Sequence, residues 1–530
     1  MVTTGAAVVD RFGLQLTLVL FLSVIVVTLF TALLTAPQRD EISEFYLGDR
    51  AMTPLRNGLA MCGDYVSAAT LLGSTGLVAL TGYDGLLYLC GTAVAWMMVL
   101  LLIAEPLRNT GRFTLGDTLA LRLPRMQRPV RLALAVCTLT VTTLYLVAQL
   151  VGSVALLTQF TGEPSAATRT LCVVVMGTIV IVYAAIGGMP GATFIQIVKA
   201  VMLVSGVTVT AVMVLQHFDW NLGALLTAAA DNSGSGTRFL EPGLRYGAST
   251  NSKLDFLSLQ LAIVLGLAAL PHVMMRLLAP KSGRVLRSSV VWAMGLVSLV
   301  CLAAGILGLG ATAIVGRDTI VQTDRKGDAA VLLLAHALGG GVLTALLSCL
   351  AFVTLLAVAA GLTLAAASSL AHDVYGEVIR KGKAKQTEEL AVARLSAVVI
   401  GVLGMLLALI SWGANTATLA FLAFAIAASA ILPTLVYTLF WRRFTARGAL
   451  LSLCGGLLCS VLLVVFSPVV SSTPESLYPS ADFAWFPLQN PGIVSIPAGF
   501  LLGWLGSVRG RNETPEIYED FEVRALVGVD

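Results

Sequence analysis

The chain has 530 residues, of which 57% are hydrophobic and only 12% charged, and its mean hydropathy is +0.89. A soluble domain carries about a quarter charged residues, so the composition excludes a soluble enzyme, a disordered chain and a nucleic-acid-binding module. The net charge of +4 arises from 33 Lys and Arg against 29 Asp and Glu, so there is no polybasic excess either.

Apolar runs separated by charged or Pro/Gly-rich breaks predict thirteen membrane helices, each of about 20 residues. In chain order they lie near 14–36, 57–80, 84–106, 131–160, 170–188, 192–216, 255–278, 290–316, 342–371, 390–411, 415–440, 448–467 and 491–508. The first run is too long for the core of a secretory signal, which spans about 7–15 residues, and is read as a span. With the N-terminus outside, roughly three-quarters of the Lys and Arg fall on the cytoplasmic side, which sets the C-terminus inside and requires an odd number of spans. The loop 217–254 is then outside. Its aromatics, Phe218, Trp220 and Phe239, predict a packed cover with a flexible tip at 232–237, and the tail 509–530 reads as short and polar. The eight cysteines form no CxxC pair or Cys/His cluster, so neither a zinc site nor a disulfide framework is expected, and no phosphate-binding Gly-Lys-Ser/Thr loop is present.

Two spans are interrupted. The second carries Gly58, Gly63, Gly73 and Gly76 together with an acid, Asp64, and the seventh carries Gly266 and Pro271. Proline removes a backbone donor and glycine loosens the turn, so both helices are expected to break mid-membrane. They stand five spans apart, an odd offset that gives them opposite orientations. Paired broken helices in two opposed halves point to an inverted-repeat carrier, in which free carbonyls hold a cation and free N–H groups hold an anion. Asp64 is costly near mid-membrane and requires a cavity, a cation or a donor; Tyr65, Lys199 and Gln196 are the candidate donors. Lys199 lies about 12 Å into its helix from the inside and is read as snorkelling. Arg276 has the charge to attract an anion but is read as a helix-end anchor, and Tyr145 and Gln149, at i and i+4, as packing or bracing residues.

Seven segments in order then resemble one family. They are Glu44-Phe-Tyr-Leu-Gly48; Gly63-Asp-Tyr-Val-Ser-Ala-Ala-Thr-Leu-Leu-Gly73 with Gly82-Tyr-Asp-Gly85; Ala104-Glu-Pro-Leu-Arg-Asn-Thr-Gly-Arg-Phe-Thr114; and Gly187-Gly-Met189 with Ile195-Gln-Ile-Val-Lys-Ala200. The others are Leu270-Pro-His-Val-Met-Met-Arg276, Ala359-Ala-Gly-Leu-Thr-Leu-Ala365 with His372-Asp-Val-Tyr375, and Leu422-Ala-Phe-Ala-Ile-Ala-Ala-Ser429. Together they resemble the solute:sodium symporter family and, within it, the cation/acetate branch. The resemblance implies an all-α integral membrane protein of the LeuT type, with a 5+5 inverted repeat and flanking helices. It assigns 1–56 to the first helix and inner loop, 57–216 to the first repeat, 217–254 to the outer loop, 255–440 to the second repeat and 441–530 to the last two spans and tail. It implies a plasma-membrane symporter, not an enzyme, that takes up acetate or a related short monocarboxylate with sodium or a proton. A carrier of another small solute, such as an amino acid, and an uncoupled anion channel are the alternatives. No cofactor beyond the coupling ion and no obligatory protein partner is expected.

The same resemblance places sodium between the second and ninth spans. It gives the carbonyls of Gly63 and Val66, with Thr354, Ala357 and Val358 opposite, and the Asp64 carboxylate is added to this cation set. Sodium-coupled members carry adjacent hydroxyl residues where this chain has Ala357 and Val358. For the carboxylate substrate the two breaks offer Tyr65, Ser67, Ala68 and Thr70, and Ala268, Ala269 and Pro271. Hydroxyls and helix N-termini hold a carboxylate, and small apolar walls accept a short alkyl group.

Overall fold

A computed structural model describes residues 11–34, 42–48, 52–161, 165–411, 416–473, 476–478, 480–510 and 515–528; parts of the expected segments 1–56, 57–216, 255–440 and 441–530 therefore lie outside the described residues. Among the described residues the chain is helical, with a single isolated bridge between Ser471 and Tyr478. The first half comprises α1 (Arg11–Leu34), α2 (Ile42–Leu47), α3 (Pro54–Tyr65), α4 (Ser74–Thr81), α5 (Tyr83–Met98), α6 (Ala104–Thr110), α7 (Leu115–Arg122), α8 (Gln127–Thr161), α9 (Ala166–Val182), α10 (Gly188–His217) and α11 (Leu222–Asp231). The second half comprises α12 (Thr250–Leu267), α13 (Pro271–Leu278), α14 (Gly283–Ile314), α15 (Arg317–Thr323), α16 (Ala330–Ser368), α17 (Gln386–Ile410), α18 (Thr416–Ile426), α19 (Leu432–Phe440), α20 (Ala446–Val465), α21 (Gly492–Val508) and α22 (Pro515–Val527).

Among the described residues, ten helical segments are long and apolar enough to cross a membrane, and Thr70–Thr81 and Gly492–Val508 are shorter apolar helices. The segment Ala166–His217 is continuous in hydrogen bonding, yet a straight helix of its length would reach about 78 Å, more than twice the hydrocarbon core. Gly188, at φ 53°, divides it into α9 and α10. A Cβ there would also meet the Phe45 ring at 2.8 Å, so the turn and the packing of α2 both need glycine. Gly339 and Gly340 likewise kink α16 near its start. Side chains such as Leu22, Val26 and Phe30 on α1 and Val399 and Leu406 on α17 are exposed, as lipid-facing residues are.

Both interruptions are real breaks. After α3, Val66 is extended (φ −73°, ψ 107°), and the chain resumes through a wide turn over Ala69–Gly73 into α4. After α12, Leu270 is extended (φ −67°, ψ 125°), as a residue before proline prefers, and Pro271 opens α13 at its first position. The helices α10, α13, α14 and α16 pack around α3, which therefore sits at the centre of the molecule.

The loop 217–254 is anchored. Asp84 at the start of α5 accepts from the backbone N–H of Gly243 at 2.7 Å, Arg245 at 2.8 Å and Tyr246 at 3.2 Å. Phe239 is fully buried. The flexible-tip expectation is corrected at its start: Asn232 donates to the Ala313 carbonyl at 2.8 Å and Ser233 is buried, because the segment is tied to the end of α14. The polar-tail expectation is corrected too. Pro515–Val527 is a helix that buries Tyr518, Phe521 and Ala525 against α6 and α7, because apolar residues spaced three and four apart give it a sticky face.

Candidate functional site

The α3 break lies against α10. A Cβ at Gly63 would come within 2.5 Å of the Gln196 carbonyl, so only glycine permits this approach of the two helices. Thr193, Gln196 and Lys199 follow one another at i+3 on α10 and share the face turned towards α3. The Gln196 amide donates to Asp64 Oδ1 at 2.6 Å and to the Ala357 carbonyl at 2.7 Å, joining α3, α10 and α16. Arg276 of α13 donates through Nε to Asp64 Oδ2 and through Nη1 to the Thr193 hydroxyl. Gly361 leaves the room that the carboxylate needs, since a Cβ there would stand 2.7 Å from Asp64 Oδ1.

Two expectations are corrected here. Arg276 is not an end anchor: it is 2% exposed and ion-paired with Asp64, because the α13 break turns it inward. Lys199 does not snorkel. It is fully buried, and its Nζ donates to the carbonyls of Gly63 and Val66. The C-terminal end of α3 is the negative end of that helix dipole, so a cation is favoured on these two oxygens.

Of the six residues placed in the cation set, Gly63 and Val66 meet at Lys199, Ala357 meets Asp64 through Gln196, and Thr354 and Val358 are fully buried on α16. The Thr354 hydroxyl has no hydrogen-bond partner among the described residues. Both Asp64 oxygens are spent on Gln196 and Arg276.

Of the substrate set, Tyr65 turns away from the break, donating to the Thr92 carbonyl at 3.1 Å and lying edge-on to Trp96. Ser67 stands at the break beside the Tyr145 phenol, and its Oγ accepts from the Thr70 N–H at 3.4 Å. Ala68, Ala268, Ala269 and Pro271 are buried walls, and Thr70 is half-buried. Tyr145 also packs edge-on to Phe424 and 5.9 Å from the His272 ring. One turn along α8, Gln149 is buried, and neither of its amide atoms finds a partner among the described residues. An orphan amide in an apolar interior is expensive and marks a place for a polar ligand. The signal for Gln149 was the i,i+4 polar pair within an apolar span; the signal for Arg276 was a cation following a Pro break.

From the loop side, a cavity of about 120 Å³ reaches Gly73 and is lined by Tyr88, Arg245, Asp255, Lys326, Asp328 and Phe421, among others. At the other end of the helices lies a second polar cluster. Arg131 bridges Asp117 at 2.8 Å and Asp373 at 2.7 Å, and His372 lies between Asp117 at 3.0 Å and Glu389 at 2.9 Å. The guanidinium offsets part of the charge of the three carboxylates, and the cluster reads as a brace that ties α7, α8 and α17 to the segment Ser369–Ile379.

The profile of the sodium:solute symporter family matches residues 45–456. The chain is 42% identical over 520 residues to a monocarboxylic acid transporter of Corynebacterium glutamicum, covering 96% of this chain and 94% of the relative. It is 40% identical over 512 residues to YwcA, a symporter of Bacillus subtilis, covering 96% and 98%. The solved structure of a Na+-coupled sialic acid symporter, substrate-bound and outward-open, superposes with a TM-score of 0.71 over 94% of this chain and 99% of that one, at 13% identity. That likeness establishes the fold.

Proposed function

We propose that this chain, which belongs to the sodium:solute symporter family, takes up acetate or a related short monocarboxylate with a coupling cation, sodium or proton. It is a multi-pass membrane protein and a secondary transporter rather than an enzyme. In this reading residues 57–216 and 255–440 are the two inverted repeats, which rock about the breaks to alternate access. The membrane is the plasma membrane, with the N-terminus outside and the C-terminus in the cytoplasm.

One observation carries the substrate class. Two buried cations, Lys199 on the carbonyls of Gly63 and Val66 and Arg276 paired with Asp64, stand at a broken helix that carries one buried carboxylate. A surplus buried positive charge is costly and is relieved by an incoming anion. The carboxylate is received by Ser67, Thr70 and the N–H groups that open α13 at Pro271, with Tyr145 and Gln149 opposite. Ala68, Ala268 and Ala269 offer small apolar walls that suit a short alkyl group. The monocarboxylic acid transporter of C. glutamicum, alike over nearly its whole length, supports the same class. Competition against labelled acetate uptake in proteoliposomes tests it. Propionate and pyruvate should inhibit, and succinate and neutral amino acids should not; inhibition by an amino acid but by no monocarboxylate would refute the assignment.

A further inference from the structure

We propose that the Lys199 ammonium occupies the cation position of the broken helix, so that this transporter binds no sodium there and works without it. The inference rests on the symporter reading for its transport measurement but not for its binding measurement.

The geometry is specific. The ammonium has three donors and no acceptor, and two of the donors end on the carbonyls of Gly63 and Val66. These are the two span-two oxygens that the family resemblance assigns to sodium. A hard cation of this kind needs about five or six oxygens. Most of the other oxygens assigned to the cation are engaged or missing. Ala357 and Val358 carry no hydroxyl, and the Ala357 carbonyl takes the Gln196 amide. Both oxygens of Asp64 are used by Gln196 and Arg276, which leaves the Thr354 hydroxyl of the set and, beside Gly63, the Gln196 Oε1 without partners among the described residues, two side-chain oxygens where a sodium ion would need more. A sodium ion on the Gly63 and Val66 carbonyls would stand in contact with a like charge, and Lys199 is fully buried with its stem packed, so the two cations exclude one another.

The arrangement is built rather than incidental. Gly63 lets α3 approach the α10 backbone at Gln196, and Lys199 lies one turn further along the same face. A tethered ammonium thereby does for the broken helix what a bound ion would do: it neutralises the exposed carbonyls at the end of α3 and holds that end against α10.

The test uses the purified full-length protein. Equilibrium binding of radioactive sodium, and melting temperature in sodium chloride against choline chloride at equal ionic strength, should reveal no saturable sodium binding and no sodium-dependent shift. In proteoliposomes, labelled acetate uptake should change by less than twofold when all sodium is replaced by N-methylglucamine. Saturable sodium binding, or a tenfold or greater fall of uptake without sodium, would overturn the proposal. Lys199→Met keeps the apolar stem but removes the ammonium, and in sodium-free medium it should lose at least tenfold in uptake. Uptake equal to the parent would overturn the role given to Lys199. Absence of acetate uptake in every medium would strike at the substrate assignment, while the sodium-binding measurement would still decide this inference.

Discussion

Asp64 and Arg276 stand 212 residues apart in the chain and meet at one buried ion pair. Breaking such a pair from one side leaves an uncompensated charge and costs about 3–5 kcal/mol. Asp64→Asn should therefore lower the melting temperature and abolish uptake, and Asp64→Asn combined with Arg276→Gln should melt higher than the sum of the single effects predicts. A thermal melt in detergent of the four proteins checks this; additive losses would show that the two groups act separately. Gln149 offers a cleaner functional test, because its amide holds no structural partner among the described residues. A hydrogen bond to a charged group is worth about 1.5–3 kcal/mol, so Gln149→Leu should raise KM for acetate roughly ten- to a hundredfold with the melting temperature unchanged or higher. At this scale the sequence was legible in part. The importance of Asp64 showed as an acid in an apolar run. The role of Lys199 did not show, because distance along the helix suggested an escape to the surface, whereas Gly63 on another helix brings its partners within reach.

The elements that matter most are the two breaks, and both were readable from glycine and proline because these residues change the backbone itself. The short helices α2, α7, α11, α15 and α22 were not, since their apolar faces are too brief to stand out beside long apolar spans. Nor was the kink at Gly339 and Gly340 separable from the many packing glycines. Glycine substitutions discriminate the two uses. Gly63→Ala would place a methyl 2.5 Å from the Gln196 carbonyl, a backbone atom that cannot swing aside, and should cost about 1–3 kcal/mol together with most of the uptake. Gly295→Ala, in the middle of α14 with open space around it, should be neutral or stabilising by up to about 1 kcal/mol. Melting temperatures and uptake rates of the two variants in parallel would decide it; equal losses would deny the close α3–α10 contact its importance.

For the whole molecule, the cavity at the loop end reaches Gly73, where the turn that follows the α3 break ends, and its charge should govern anion entry. Asp328 lies on its wall, and burial first, with neighbouring Asp324 second, pushes its carboxyl up to about 7 against the pull of Lys326. The group is neutral below that pH and negative above it. Because its folded pKa exceeds the ordinary carboxylate value of about 4, stability falls as pH rises from about 4 to 7 and then levels. Acetate stays ionised across this upper range, so KM should rise several-fold between pH 6 and pH 8, and Asp328→Asn should flatten that rise. An unchanged pH profile in the variant would free Asp328 of the role. The fold itself was the most legible feature, through apolar runs and paired breaks; the substrate class came from resemblance, because small apolar walls and scattered hydroxyls look alike in many spans. The central claim is coupled uptake by alternating access. It is tested most directly by the level that labelled acetate reaches inside proteoliposomes under an imposed ion gradient. The account predicts accumulation above the external concentration that collapses when an ionophore dissipates the gradient. Equilibration to the external level, at the same rate with and without the gradient, would contradict it.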